Sequence, residues 1–289
     1  MGIYDGMEKL ERLRKTASAG VVLICIGLVG FIYLVLLYKT TMLPFIGIGL
    51  IVAGVFCIKG KNEQYRKIYK EVIVEKPLRD NFSDVYYAWR NGFTLNEVNN
   101  FMLLKHGEVV TSEDYLRAKY KGVPFEMADV WLKDRVSQNN TSRDGTIFLG
   151  RIIVFELSNK DVISTRIYSR HFYGRRKDYC TADSKVEMES IDFNETFDTF
   201  SASPHNAFYL LTPQFMERLI CLSTDHDDIA MHVFGNKVIF AYRSRMKNAF
   251  DNVSWLVKTS YPDEVEKVKG DIDDIKSIID AVCALNMGE

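Results

Sequence analysis

The chain has 289 residues with 37 basic and 38 acidic side chains, and its formal net charge at pH 7 is -1. The charge is unevenly spread, with a net +4 in residues 59–70 and a net -7 in residues 71–289. An acidic C-terminal part excludes a general nucleic-acid binder, so we expect no nucleic acid among the partners.

Two apolar runs near the N-terminus define the organisation of the chain. Residues 17–38 are 22 residues without a charge, and residues 42–58 form a second run of 17. As helices they would span about 33 Å and about 25 Å, against a hydrocarbon core of about 30 Å. We predict a transmembrane helical hairpin over residues 17–58 that contacts the lipid bilayer. Neither run contains an acidic, basic or histidine side chain, which favours an anchor over a transport pathway.

The charges that flank the hairpin predict its orientation. Several lysines and arginines lie outside the two runs, whereas the turn between them holds only Lys39. The positive-inside rule then places both termini in the cytoplasm. A signal peptide is the competing interpretation of the first run, but that run is long for one and a second apolar run follows at once. Five scattered cysteines without a CxxC pair agree with a reducing compartment and predict no disulfide framework.

Small residues in the two runs predict close helix packing. Gly20, Gly27 and Gly30 can face Gly47, Gly49 and Gly54, and Gly49 with Ala53 forms a small-xxx-small pair. A homo-oligomer formed through the hairpin remains open.

The segments on either side of the hairpin have helical periodicity. Residues 1–16 are typical of a cytoplasmic amphipathic arm at headgroup level. Residues 59–80 predict a basic juxtamembrane helix, with apolar residues at i, i+3, i+4 and i+7 from Tyr65, that ends at or soon after Pro77.

Residues 81–289 predict one cytoplasmic α+β domain with a curved antiparallel sheet of about seven strands and packed helices. The strands are expected at 114–120, 123–136, 146–157, 162–170, 186–191, 228–234 and 237–244, with a polar loop at 137–145. Gly235-Asn236 is a two-residue hairpin signal, and Gly150 inside a strand indicates a bulge or a close backbone approach.

Three helices are predicted in this domain. Thr94 can cap the first, and Ser203-Pro204 can begin a second that covers residues 207–222. Residues 262–285 predict a final acidic amphipathic helix.

Three segments, GVPFEMADV, TIFLGRIIVFEL and FNETFDTFSASPHNAFYLLTPQFMERLICL, follow a transmembrane hairpin and YKEVI in this order. With these segments in this order, the chain resembles a bacterial membrane-anchored family that is known only as domain of unknown function number three thousand one hundred and thirty-seven. The resemblance covers residues from about 69 to 250 and is most specific at residues 207–222. It implies a multi-pass protein of the bacterial cytoplasmic (inner) membrane and assigns no activity.

No catalytic, metal or cofactor motif is found in the sequence. The cluster Asp225-His226-Asp227-Asp228 with His232 offers metal ligands at a spacing that better fits a solvated loop. Asp198, Ser203 and His205 are close in sequence, but triads are assembled by folding rather than by adjacency. The recurring phenylalanines of residues 193–215 are typical of core packing.

The most unusual segment of the acidic part interleaves cations with aromatic residues. Such a surface suits anionic lipid headgroups, and its candidate contacts are Arg166, Arg170, Arg175, Arg176 and Lys177. The alternative is a strand end whose charges pair with neighbouring acids. We therefore predict a non-enzymatic binding or scaffold module at the membrane, which acts through an unknown protein partner or anionic lipid. The alternative function is an enzyme on a membrane-associated substrate, with a site that no sequence motif reveals.

Overall fold

A computed structural model describes residues 3–37, 44–138, 141–156, 162–175, 184–226, 228–243 and 260–283. The chain divides into two compact units. The first comprises Met1–Asp80 and Asn252–Lys269, and the second comprises Asn81–Asp251 and Gly270–Glu289.

The helices of the N-terminal part are α1 (Ile3–Leu37), α2 (Pro44–Ile58), α3 (Lys61–Tyr69), a π-helical segment (Lys70–Glu75) and α4 (Lys76–Asn81). The segment expected to be a separate arm, residues 1–16, forms the beginning of α1 from Ile3. Leu10 is fully buried there, and a Cβ on Gly6 would lie 2.5 Å from Val72 of the π-helical segment. Packing of this kind keeps the arm in line with the rest of α1.

Helical structure continues through Pro77, which lies at the start of α4. A proline in a helix lacks an N–H donor and its ring clashes with the carbonyl of residue i-4, here Ile73. The π-helical turn over Lys70–Glu75 contains that carbonyl. The wider turn provides the space that the proline ring needs, and the helix ends four residues later at Asn81.

α1 and α2 lie antiparallel and approach each other most closely at two pairs of glycines. A Cβ on Gly54 would lie 2.6 Å from the carbonyl oxygen of Gly20, and a Cβ on Gly47 would lie 2.8 Å from that of Gly27. Around Gly49, in contrast, no atom lies within 4 Å of such a Cβ. The close packing predicted for the hairpin therefore uses glycines seven residues apart on each helix.

The outer surfaces of α1 and α2 are apolar and exposed. Two stretches, Asp5–Leu36 and Phe45–Asn81, are long and apolar enough to cross a membrane by length and composition. The exposed apolar side chains are Val22, Ile26, Val29, Ile32 and Leu36 on α1 and Phe45, Ile46, Val52, Val55 and Phe56 on α2.

The second unit is built on one antiparallel sheet of nine strands in the order β1-β2-β3-β4-β9-β8-β5-β7-β6. The strands are β1 (Ser83–Ala88), β2 (Val109–Tyr120), β3 (Val123–Gln138), β4 (Thr141–Glu156), β5 (Val162–Ser169), β6 (Ser184–Val186), β7 (Phe197–Ser201), β8 (Ile229–Gly235) and β9 (Lys237–Arg243).

The prediction of an α+β fold with an antiparallel sheet is confirmed, but nine strands replace the expected seven. β1 and β7 are the additional strands. All five residues of β7 are buried, so its sequence lacks the alternation of apolar and polar residues that marks a half-exposed strand. The expected loop at 137–145 is wrong, because β3 extends to Gln138 and β4 begins at Thr141.

Local turn and close-approach signals match the structure. Gly235 and Asn236 join β8 to β9, with Phe234 opposite Lys237. Gly150 is a close approach and not a bulge, since a Cβ there would lie 2.1 Å from the carbonyl oxygen of Tyr242.

The remaining helices are α5 (Leu95–Asn100), α6 (Ile191–Thr196), α7 (Pro204–Leu210), α8 (Pro213–Asp225) and α9 (Tyr261–Cys283). The single helix expected over residues 207–222 is two helices, because Pro213 interrupts the first and begins the second. Thr212 caps α8, and Ser203 caps α7 as predicted. Thr94 also caps α5, in a capping box with Glu97.

Both faces of the sheet are buried. The first face packs against the segment between β1 and β2, whose Phe93, Val98, Leu103 and Leu104 belong to the main apolar core. The second face has fully buried side chains such as Phe155 and Phe240.

Candidate functional site

The described arginines of the basic segment predicted to contact anionic surfaces make contacts within the domain. Arg166 is only 3% exposed. Arg175 forms an ion pair with Asp198 at 3.0 Å. Arg170 is exposed, while Arg176 and Lys177 lie outside the described residues.

Asp198 forms ion pairs with two cations, Arg175 and Lys185. Burial alone would raise its pKa, but hydrogen bonds from Lys185 and Arg175 hold the pKa below its usual value. The carboxylate is therefore used in ion pairs. Ser203 meanwhile caps α7, so these residues do not form a catalytic triad.

Three side chains on the first face hold the carbonyl oxygens of residues 101–103. His232 Nδ1 lies 2.8 Å from the first oxygen, Arg166 Nε donates to the second at 3.0 Å, and the hydroxyl of Tyr168 donates to the third at 2.8 Å. Buried carbonyls need such partners because no water reaches them. Arg166 and His232 thus fasten an irregular segment to the sheet.

The contacts of His232 also define its tautomer. A carbonyl only accepts, so Nδ1 carries the proton and Nε2 accepts from the hydroxyl of Ser164 at 3.0 Å. Burial and the nearby Arg166 lower the pKa of His232 to about 3. The arrangement resembles a nucleophile and its base, but such a weak base accepts a proton poorly near neutral pH.

A row of polar side chains crosses the second face. Asp129 lies opposite Arg151, which lies opposite Tyr242. The buried guanidinium of Arg151 donates to Asp129 at 2.7 Å. Burial raises the pKa of Asp271 in α9 to about 6, partly offset by Arg151. Asp129, Arg151 and Asp271 thus form a cluster of charged side chains beside α9.

The described residues considered as metal ligands do not converge, and Asp227 lies outside the described residues. His226 lies against Tyr242, with ring centroids 4.5 Å apart, and Asp228 pairs with Arg243 at 3.1 Å. His232 lies on the first face of the sheet, where it contacts the carbonyl oxygen of Phe101. Within the described ranges, no three histidine, cysteine, aspartate or glutamate side chains are grouped to hold a metal ion.

An open groove of about 640 Å³ lies on the second unit where β4 ends and β8 turns into β9. Its volume is in the usual range for ligand sites. Its apolar lining is Phe93, Phe101, Pro124, Phe125, Val154 and Phe234. Phe101 and Phe234 are only partly buried, so the groove offers aromatic surface to a ligand.

The register of the strands sets the charges around the groove. Glu126 lies opposite Val154, and Glu156 lies two residues further along β4, on the same face. Arg117 is opposite Glu126, and Lys237 is opposite Glu156. An apolar floor is thereby bordered by two carboxylates and then by two cations.

Tyr115 lies near one of these carboxylates. Burial together with the charge of Glu126 raises the pKa of Tyr115 to about 12. Arg117 lies over the ring of Tyr86, 5.6 Å from its centroid. Across the described part of the chain, Glu156 and Lys237 form no ion pair, so both remain available to a ligand.

A second cavity, of about 790 Å³, lies between α8, α9 and the turn from β2 to β3. Three of its charged residues are already engaged, since Lys121 pairs with Asp280 at 2.7 Å and Arg218 donates to the backbone carbonyl oxygen of Asp280 at 3.0 Å. The groove of about 640 Å³, which is lined by Phe101 and Phe234, is therefore the better candidate for a binding site.

Sequence reasoning missed the groove because its residues lie on five separate segments. The available signal was the placement of Glu126 and Glu156 inside or at the end of apolar strands. Only the strand register brings them to the same floor residue, Val154.

Comparison with known proteins agrees with the resemblance found in the sequence. No curated protein matches the chain. The crystal structure of the mycobacterial trehalose monomycolate transport factor A, TtfA, is similar at 8% sequence identity and a TM-score of 0.37, over 67% of this chain and 88% of the other. Residues 146–286 match the model of a protein family of unknown function, DUF3137. The resemblance to this family is thereby confirmed over residues 146–286.

Proposed function

We propose that this protein is a membrane-anchored binding module whose groove receives a segment of a partner protein. The groove at the end of the sheet is the observation that carries this proposal. Partly exposed Phe101 and Phe234 line it, next to carboxylates and cations that have capacity for further contacts. Aromatic anchors in a concave site are typical of protein recognition.

The apolar surfaces of α1 and α2 support membrane anchoring. Side chains such as Val29, Leu36 and Phe56 are 69%, 72% and 79% exposed. In water this continuous apolar surface would promote aggregation, whereas hydrocarbon would cover it. We propose a multi-pass protein of the bacterial inner membrane with both termini in the cytoplasm, following the charges beside the hairpin.

A protein partner is favoured over anionic lipid headgroups by the surroundings of the basic segment. Arg166 is held inside the domain and Arg175 is paired. The exposed Arg170 donates to the carbonyl oxygen of Asn194 in α6, a helix that also carries exposed Asp192 and Glu195. Nearby acids reduce the attraction of this surface for phosphate groups.

An enzyme is the less favoured function. The pair of Ser164 and His232 is its best support, but neither residue lines the groove or the second cavity. A nucleophile needs space for a substrate beside it. We therefore propose binding rather than catalysis for this domain.

Site-specific photo-crosslinking in intact cells tests the proposal. The crosslinking amino acid p-benzoylphenylalanine replaces Phe234 or Asn100 in the groove, and Ile163, an exposed apolar residue of β5, serves as the matched control. We expect the same discrete protein adduct from both groove positions and none from the control. Substitution of Phe101→Ala should weaken the adduct from Asn100.

Two results would count against this function. Adducts of equal yield from groove and control positions would indicate random collision rather than a site. A crosslinker at Tyr173, which is 70% exposed beside the basic segment, reports the lipid alternative. If the crosslinker at position 173 labels radioactive phospholipid and the groove positions label no protein, the domain binds the membrane surface instead of a protein partner.

A further inference from the structure

We propose that the groove selects a basic side chain, an arginine or a lysine, next to an apolar residue in the partner's segment. This inference rests on the proposed function and names the chemistry that the groove recognises. It follows from the joint placement of aromatic rings and carboxylates around one floor residue.

The rings supply the first part of the recognition. Phe93 and Phe101 are 5.2 Å apart and almost perpendicular, so the edge of one meets the face of the other. Phe234 lies against His232, two residues earlier on the same strand β8, with ring centroids 4.4 Å apart. Partly exposed ring faces attract a cation through their quadrupole, while the hydrocarbon stem of an arginine or lysine covers apolar surface.

The carboxylates supply the second part. Glu126 and Glu156 both adjoin Val154, one across the strand pair and the other along the strand. A guanidinium or ammonium group above Val154 would therefore reach either carboxylate.

The third carboxylate of the groove has a different role. Glu97 accepts from the backbone N–H of Thr94 at 2.7 Å in the capping box of α5. Its lone pairs are partly used at the helix end. We therefore assign cation recognition to Glu126 and Glu156.

The cations at the border limit the strength of this selection. Arg117 lies over Tyr86, and Lys237 follows the turn between β8 and β9. With three glutamates and these two cations, the groove has a net charge of -1. We expect a basic side chain to be preferred over a neutral one of the same shape by about three- to tenfold, as for partly exposed charge pairs.

The size and lining of the groove indicate a peptide rather than a lone cation. Its volume of about 640 Å³ leaves apolar walls at Phe93 and Pro124 beyond the floor. Asn100 and Asn236 are exposed at its border and provide amides that can pair with a peptide backbone.

The test compares two dipeptides of equal shape on the full chain in a neutral detergent. N-acetyl-Phe-Arg-amide carries the guanidinium, and N-acetyl-Phe-citrulline-amide replaces it with a neutral urea group. Dissociation constants are measured by ligand-observed NMR. We expect the arginine peptide to bind about three- to tenfold more tightly, and the double variant Glu126→Gln with Glu156→Gln to remove that difference.

Controls separate the charge from the fold. Glu195→Gln removes an exposed carboxylate of α6, away from the groove residues, and should leave the preference unchanged. Phe234→Ala should weaken both dipeptides alike because it removes an aromatic wall. The circular-dichroism spectrum and melting temperature of each variant report whether it is folded.

The outcomes distinguish this inference from the proposed function. Equal binding of the two dipeptides, or binding of neither, overturns the selection for a basic side chain, while crosslinks from Phe234 and Asn100 would still support the groove as a protein-binding site. If 2-phenylethylammonium binds as tightly as the arginine peptide, the ligand is a small organic cation and the assignment to a peptide is wrong.

Discussion

The polar side chains buried against the sheet have partners that are distant in sequence. Arg166 was expected to contact an anionic surface and His232 to lie near possible metal ligands, yet they hold the carbonyl oxygens of residues 102 and 101. A buried carbonyl that lacks a donor costs roughly 1–3 kcal/mol. That cost explains why a cation from the basic segment is used inside the domain.

Asp271 is the residue for which we expect the clearest dependence on pH. Its pKa of about 6 in the folded protein exceeds the usual value of 3.8. Its contribution to stability is therefore fully present below about pH 4 and is lost as the pH rises through 6. Asp271→Asn should raise the free energy of unfolding at pH 7.5 by about 1–2 kcal/mol, after allowance for its partial exposure.

Denaturant unfolding of the full chain in detergent, followed by tryptophan fluorescence between pH 4 and 7.5, measures this effect. The matched control is Asp273→Asn, since Asp273 is exposed on the same helix and pairs only at 3.3 Å with Lys276. A gain in stability that is equal for the two variants would contradict a special role for burial at Asp271.

Two prolines have different effects on the helices that contain them. Pro213 divides one predicted helix into α7 and α8, whereas Pro77 lies within helical structure because a π-helical turn precedes it. A proline signal in the sequence thus had two outcomes, and the backbone around each decided between them.

The glycines of α1 and α2 allow a prediction about one element pair. Gly54→Val should push the helices apart, because its Cβ would lie 2.6 Å from the carbonyl oxygen of Gly20. Gly49→Val adds the same side chain to the same helix where no atom lies within 4 Å. We expect the first variant to lose roughly 1–3 kcal/mol and the second to stay close to the parent.

Titration with sodium dodecyl sulfate, followed by far-ultraviolet circular dichroism, measures the stability of the hairpin in both variants. Equal unfolding midpoints for Gly54→Val and Gly49→Val would show that the close approach of the two helices contributes little to stability.

At the scale of the whole molecule, the proposed topology is the property to test. In a cysteine-free variant, Lys39→Cys places a thiol in the segment that joins α1 to α2. If both termini are cytoplasmic, an impermeant thiol reagent should label this position in intact bacterial cells. The reference position is Asn236→Cys, exposed on the second unit, which should react only after the membrane is disrupted.

The reverse pattern, with labelling of position 236 in intact cells and of position 39 only after disruption, would contradict this orientation. The groove would then face the other side of the membrane, and a cytoplasmic partner would be excluded.

The sequence by itself determined the apolar hairpin, the antiparallel α+β class and the capped starts of α5 and α7. Each depends on neighbouring residues, such as a run without charges, an alternation or a capping side chain. The tertiary structure alone decided that Arg166 is buried and that Glu126 and Glu156 border one floor residue. Those facts depend on strand register and on contacts between residues up to 131 positions apart, as for His232 and Phe101, and no local pattern encodes them.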